Sequence, residues 1–268
     1  MSRPDRFARR PLLLGVVHLL PLPGSPRYGG SRAAIAEAAR ADAEALVEGG
    51  CDGFIVENFG DAPFHPNRVE PGVIAAMTAL ASDLRARVGE EPVLGVNVLR
   101  NDAGAALAVA AAAGADLIRV NVHTQAILTD QGWIEGEAAR TLRMRRALDA
   151  EGVRIAADVG VKHALRPPGF SIEESARETV GRGLADALIV TGAGTGRPTD
   201  LDELSAVRRA APEVPLLVGS GADARSIGAL LAVADGVIVG SSLKRDGVLS
   251  APIDVDRVRA FVAAARAG

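Results

Sequence analysis

The chain has 268 residues, a formal net charge of −3, 48% hydrophobic and only 3% aromatic residues. That length suits one α/β barrel of about 250 residues, while the charge balance and the scarcity of aromatics argue against nucleic acid as a partner. A single cysteine, Cys51, excludes an internal disulfide or a thiolate metal cluster; set between Glu48-Gly49-Gly50 and an apolar run, it reads as a small core residue.

Met1 to Arg10 is basic, but the apolar stretch Pro11–Leu20 that follows is too short to cross a membrane and is broken by His18 and Pro21. The expectation is a cytoplasmic protein without a membrane span; peripheral membrane association and homo-oligomerisation stay open. Beyond an N-terminal extension over residues 1–11, eight short apolar runs predict strands. They cover Leu12–Val17, Gly53–Glu57, Pro92–Asn97, Asp116–Asn121, Arg154–Asp158, Asp186–Thr191, Val214–Gly219 and Asp235–Gly240. Runs this continuously apolar suit strands covered on both faces. Ala-rich helices are predicted between them, at Ser31–Glu48, Val73–Val88, Asp102–Ala113, Glu137–Ala150 and Ile172–Arg182. Several strands follow a step such as Gly50-Cys51-Asp52 or Gly114-Ala115-Asp116, where glycine ends a helix and the chain turns into the strand. Strand and helix alternate throughout, which predicts a single-domain (βα)8 barrel over residues 12–268.

On the opposite face the loops after the first, second, fourth and fifth strands are long: His18–Gly30, Asn58–Pro71, Val122–Gly136 and Gly160–Phe170. Long ordered loops mark candidate lids. Trp133, in the third of these, reads as a solvent-shielding plug sooner than as a stacking platform.

Alternation decides which side chains enter the barrel. It places Arg119 and Asn121, Asp158, Asn97 and Glu57 inside near the same end, with Gly95 and Ala156 leaving room. A buried guanidinium needs carboxylate partners, and Glu57 and Asp158 are the nearest candidates. Arg119 then either completes a structural ion-pair network or serves the site. Glu57 and Asp158 stand where catalytic groups of this fold stand, and could divide acid and base work. His18 ends the first strand on the same face, as a general acid or base or as a satisfied core histidine. His123, Lys162 and His163 lie nearby in sequence, while His65 reads as loop packing. His18, Glu57, Asp158 and His123 are donors of a type that would suit a divalent ion, but no HExxH, DxDxDG or CxxC pattern occurs, so no metal or other cofactor is expected.

The last three strands run into glycine turns. Thr191, Gly192, Gly194 and Gly196 follow the sixth strand, Gly219-Ser220-Gly221 the seventh and Gly240-Ser241 the eighth, with Lys244 beyond as a cation. Glycine lets successive N–H groups converge on an anion, and in this fold the loops after strands 7 and 8 commonly hold phosphate. Asp223 is expected to cap the helix after the seventh strand.

Five segments, in order, resemble the BtpA/SgcQ family. They are Gly15-Val16-Val17-His18-Leu19-Leu20-Pro21-Leu22-Pro23-Gly24-Ser25-Pro26, Asp52-Gly53-Phe54-Ile55-Val56-Glu57-Asn58-Phe59-Gly60-Asp61-Ala62-Pro63-Phe64, Leu94-Gly95-Val96-Asn97-Val98-Leu99-Arg100-Asn101-Asp102, Arg119-Val120-Asn121-Val122-His123 and Thr191-Gly192-Ala193-Gly194-Thr195-Gly196. The resemblance implies a barrel of the ribulose-phosphate-binding type, and it carries a photosystem I biogenesis label from cyanobacterial members. The leading expectation is an enzyme acting on a small phosphorylated substrate of sugar-phosphate or phosphoribosyl type. The alternatives are a non-catalytic assembly factor for a membrane protein complex, which predicts an exposed apolar patch, and a ligand-binding regulator.

Overall fold

The computed structural model describes residues 11–160, 164–165, 168–192 and 199–267. In chain order its strands are β1 Leu12–His18, β2 Gly53–Glu57, β3 Val93–Asn97, β4 Leu117–Val120, β5 Ala126–Thr129, β6 Gly132–Glu135, β7 Arg154–Val159, β8 Ala164–Leu165, β9 Ala187–Val190, β10 Leu216–Val218 and β11 Gly236–Val239. Its helices are α1 Arg32–Glu48, α2 Pro71–Val88, α3 Ala103–Ala113, α4 Ala138–Ala147, α5 Ile172–Gly181, α6 Leu201–Ala210, α7 Ile227–Leu231 and α8 Val255–Arg266. Eight strands close into one parallel barrel in the order β1-β11-β10-β9-β7-β4-β3-β2. No helix among the described residues is long and apolar enough to cross a membrane.

Alternation along these strands makes two cores. Leu14, Val16, Ile55, Leu117, Ile189, Leu217 and Ile238 fill the barrel interior. Their neighbours Leu13, Phe54, Val56, Leu94 and Ile118 pack outward against the helices, together with Met77, Leu107 and Phe261. Each fully buried side chain of this size contributes about 1.5–3 kcal/mol relative to exposure. Ser31 and Asp102, at the predicted helix starts, are N-caps whose side chains accept the amides of Ala34 and Ala105. The predicted helix over Glu137–Ala150 stops at Ala147, where Leu148 leaves helical geometry and Asp149 turns left-handed at φ 53°.

The floor of the barrel carries a device repeated at alternate strands. Asp52, Asp116, Asp186 and Asp235 each precede an even-numbered barrel strand, and each accepts the backbone N–H of the strand beside it: Leu13 at 2.8 Å, Leu94 at 2.9 Å, Ile155 at 2.8 Å and Leu216 at 2.8 Å. Each also meets an arginine from the end of a helix. Arg85 of α2 reaches Asp116 at 2.7 Å, and Arg145 of α4 reaches Asp186 at 2.7 Å. Arg208 of α6 bonds Asp235, and Arg266 of α8 comes within 3.4 Å of Asp52. The aspartates visible before the strands are therefore half of an Arg–Asp clasp that pins helix ends to the sheet.

The loop Val122–Gly136 folds as a hairpin. β5 pairs antiparallel with β6 and with β8, forming a small sheet beside the barrel mouth. Ile127 and Ile134 are buried beneath it with Val122. On its other face Leu128 pairs with both Trp133 and Leu165, which are 59% and 69% exposed. Trp133 is thus not a plug: directly paired residues share a face, and its face points outward.

Candidate active site at the barrel mouth

The last inward position of every barrel strand lies two residues beyond an inward core residue, and together these positions ring the mouth. They are His18, Glu57, Asn97, Arg119, Asp158, Thr191, Gly219 and Gly240, with Asn121 one step above Arg119. Apart from His18 and the glycines, every side chain on this ring is buried. Charge at such depth must be paired.

One pairing joins β4 to β7. Arg119 Nε and Nη2 donate to Asp158 Oδ1 and Oδ2, both at 3.0 Å, and Asn121 Nδ2 adds a third bond to Oδ2 at 2.8 Å. Burial opposes the charge on Arg119, but the ion pair and hydrogen bonds with Asp158 outweigh it and push its pKa up. The far side of the guanidinium lies under the cradle: a Cβ on Gly219 would sit 3.2 Å from Arg119 Nη2 and 2.6 Å from Thr191 Cγ2. Only glycine leaves room there.

The second pairing joins β1, β2 and β3. Asn97 Nδ2 donates to Glu57 Oε2 at 2.7 Å, and His18 Nε2 stands 3.9 Å from Glu57 Oε1. The His18 ring packs 4.8 Å from that of Phe59, and its Cε1 would be 2.9 Å from a Cβ on Gly240. Glu57 thus acts on Arg119 only through space, while Asp158 holds it directly. The two carboxylates stand in different settings. Asp158 has a fully buried side chain saturated by a guanidinium and an amide, whereas Glu57 shares its group with an amide and an imidazole.

Arg100 is a residue the strand alternation did not single out. It lies three positions past β3, is buried, and faces Asp158, Arg119 and Glu57. Burial, reinforced by Arg119, lowers its pKa against the pull of Asp158, Glu57 and Asp130. The sequence signals were its place in the family-like segment Leu94–Asp102 and an arginine inside the turn Leu99-Arg100-Asn101, between an apolar strand and an alanine helix.

The glycine turns sit on the opposite arc. Thr191, Gly192 and Ser220 are buried, and Gly221 takes the left-handed conformation at φ 78°. Gly194 and Gly196 lie outside the described residues, as do Lys162 and His163. Ser241 opens a short 3-10 turn over Ser241–Leu243. Two ties lace the loops together: Thr199 Oγ1 donates to the Ser220 carbonyl at 2.9 Å, and Ser242 Oγ to the Ala222 carbonyl at 2.7 Å. Among the described residues, three buried side-chain oxygens around the mouth have no hydrogen-bond partner: Asn121 Oδ1 across the ring, and Thr191 Oγ1 and Ser220 Oγ on this arc. Such atoms are few in folded proteins and usually answer to a water or ligand.

Other candidates have different work. Lys244, expected as a cradle cation, is buried and donates to Asp42 of α1 at 2.9 Å, and Asp42 also takes the Ile253 amide. Asp223 accepts the amides of Arg225 and Ser226, forming a turn ahead of α7; Ser226, and not Asp223, holds the N-cap position, without a side-chain capping bond. His123 Nε2 donates to the Gly183 carbonyl at 2.8 Å, away from the ring, and His65 pairs with Glu70 on the surface. The segment Asn58–Asp61 is scaffold: Asn58 Oδ1 accepts the Leu99 amide, Asp61 Oδ1 accepts the Leu22 amide, and a Cβ on Gly60 would meet Pro21 N at 2.5 Å. Burial raises the Asp61 pKa despite those donors. Among the described residues no group of three or more His, Cys, Asp or Glu side chains is placed to hold a metal.

Comparison with known proteins adds a family and a fold. The BtpA family matches residues 9–267. The photosystem I biogenesis protein BtpA of Synechocystis is 51% identical over 96% of this chain and 88% of its own length. An uncharacterized protein of Thermococcus kodakarensis is 45% identical over 97% of both chains, and a mitochondrial one of Caenorhabditis elegans 35% identical over 94% and 92%. In fold, the chain resembles N-(5'-phosphoribosyl)anthranilate isomerase of Pyrococcus furiosus (TM-score 0.55, 16% identity, 96% and 99% coverage). Thiamine phosphate pyrophosphorylase of the same organism is similar at TM-score 0.58 and 18% identity, over 96% and 97% of the two chains.

Proposed function

The chain belongs to the BtpA family, and from that membership and the mouth's geometry we propose that it is an enzyme acting on a small phosphorylated substrate. The observation that carries this is the fixed guanidinium of Arg119 beneath Gly219, with the Thr191 side chain against the same glycine and the buried hydroxyls of Thr191 and Ser220 without a partner among the described residues. A phosphate resting there would receive hydroxyl and backbone donors over a buried positive charge, the setting in which such interactions are strongest. The like-folded isomerase and pyrophosphorylase are both named for phosphorylated compounds, in keeping with that reading.

With phosphate held on this arc, the reacting end of the substrate points across the ring towards Glu57 and His18. Glu57 is the base: Asn97 fixes its orientation, and His18 stands between it and Gly240, within reach of a group leaving the cradle side. Asp158 is a positioning residue, since protonating it would break three bonds at once. Proton transfer beside a carbonyl or at an anomeric carbon suits this layout, in an isomerase, lyase or glycosyl-transfer reaction.

Melting curves with inorganic phosphate and a panel of phosphorylated metabolites test the ligand class. A ligand at 100 times its Kd stabilises by about 2.7 kcal/mol, and if no phosphorylated compound raises the Tm, the reading fails. For the chemistry, Glu57→Gln should retain ligand binding and slow uptake of solvent deuterium into the bound substrate by about 10²–10⁴-fold. Undiminished exchange would remove Glu57 from the role of base. A second reading, an assembly factor, draws support from the outward apolar face of Leu128, Trp133 and Leu165 and from the name of the Synechocystis relative. It requires that face, and tolerates loss of Glu57.

A further inference from the structure

We infer that Asn121 is the residue by which the mouth selects its substrate's carbon skeleton, accepting a hydrogen bond from a hydroxyl or amine that the phosphorylated compound must carry. This rests on the phosphate reading above and narrows it to donor-bearing, sugar-like phosphates.

The argument begins with orientation. An ionised carboxylate can only accept, so the atom Asn121 presents to Asp158 Oδ2 at 2.8 Å must be Nδ2. Asp158 cannot turn away, because Arg119 holds both of its oxygens. A flipped amide would set two oxygens against each other. Asn121 Oδ1 is therefore locked as an acceptor, is buried, and has no partner. The Thr191 and Ser220 hydroxyls differ, because a hydroxyl rotates to donate or accept and so discriminates little. An amide oxygen also repels phosphate oxygens, which assigns phosphate to the glycine arc and the donor-bearing carbons to Asn121.

A crevice of about 20 Å³ beside Asn121 and Asp158, lined by Gly160, Phe170 and Ser175, has room for one water. If that water alone answers Oδ1, the substrate's hydroxyls are not read here. If the substrate answers it, removing the hydroxyl strands a buried acceptor, the type of contact that gives strong discrimination.

Calorimetry on the full chain separates these cases, using inorganic phosphate, ribose 5-phosphate and its singly deoxygenated analogues. With wild-type protein, ribose 5-phosphate should bind more tightly than inorganic phosphate, and one analogue should bind about 10- to 100-fold more weakly than the parent. In Asn121→Leu that ratio should collapse to about twofold or less. Asn121→Ser, checked by its melting curve, serves if the leucine variant does not fold, and should give a ratio between the two. Binding of every analogue within about twofold of the parent in wild type overturns the inference, as does a penalty that persists in both variants or a parent no tighter than inorganic phosphate. Failure of inorganic phosphate to bind wild type at all strikes instead at the cradle, and with it the phosphate reading.

Discussion

The floor and the mouth of this barrel use the same kinds of residue to opposite ends. On the floor, one Arg–Asp clasp recurs at alternate strands, and each aspartate also takes a backbone amide of the neighbouring strand. At the mouth nothing repeats. Two guanidinium groups, Arg119 and Arg100, stand among two carboxylates and two amides, and the side-chain oxygens of Asn121, Thr191 and Ser220 are buried without a hydrogen-bond partner among the described residues. On the floor each aspartate is held by an arginine and an amide of its own chain, even though Arg85 Nε is left unmet, and the arrangement serves stability; at the mouth an amide oxygen and two hydroxyls stay unmet in a buried ring, a setting suited to something that arrives.

Substitutions at matched positions sharpen that contrast. Asp158→Asn strands the buried Arg119 charge and should cost about 3–5 kcal/mol in urea unfolding. Asp186→Asn removes a clasp that is roughly a quarter exposed on the aspartate side, and should cost about 1–2 kcal/mol while leaving affinity for inorganic phosphate unaltered. Equal losses from the two would erase the distinction between floor and mouth. Gly219→Ala ranks between them at about 1–3 kcal/mol. Its Cβ would meet Ile189 Cγ2 at 2.5 Å and Thr191 Cγ2 at 2.6 Å, so phosphate affinity should fall with stability.

The smallest effect concerns His123. Burial, helped by Arg145, lowers its pKa below 6.5 against the pull of the Gly183 carbonyl. The unfolded chain therefore binds this proton more readily than the folded one. The stability at stake is present in full above pH 6.5 and is lost as pH falls from there through the lower folded value. Urea midpoints measured from about pH 8 to about pH 5 should fall more steeply for wild type than for His123→Gln; parallel curves would show that the imidazole takes up its proton equally in both states.

Much of this was legible before the structure. Strict alternation turned the apolar runs into a barrel and brought Glu57, Asn97, Arg119 and Asp158 to one end, because a strand's period of two leaves no choice of face. What escaped lies outside that rule. Arg100 and the hairpin belong to loops, whose course no period dictates; β5 and β6 have four residues each and β8 two. Lys244 was misplaced because its partner, Asp42, is 202 residues away. The clasp aspartates stood out before their strands, but their arginines sit among other helix-end arginines such as Arg87, Arg146 and Arg209. The resemblance to the family held over nearly the whole chain, and its segment Asn58–Asp61 turned out to be joinery between loops.

The end of β10 has an electrical consequence. Three carbonyl oxygens in its turn are already claimed: Gly219 by Arg119, Ser220 by Thr199 and Ala222 by Ser242. A carbonyl oxygen is the negative pole of its peptide dipole, and one engaged from within the protein turns less of its field on a newcomer. The turn thus offers an approaching anion little repulsion and a guanidinium below, while its exposed cation, Arg225, pairs with Asp223. Under the proposed phosphate reading such a turn does without Lys244, which fastens the last turn of the barrel to its first helix through Asp42.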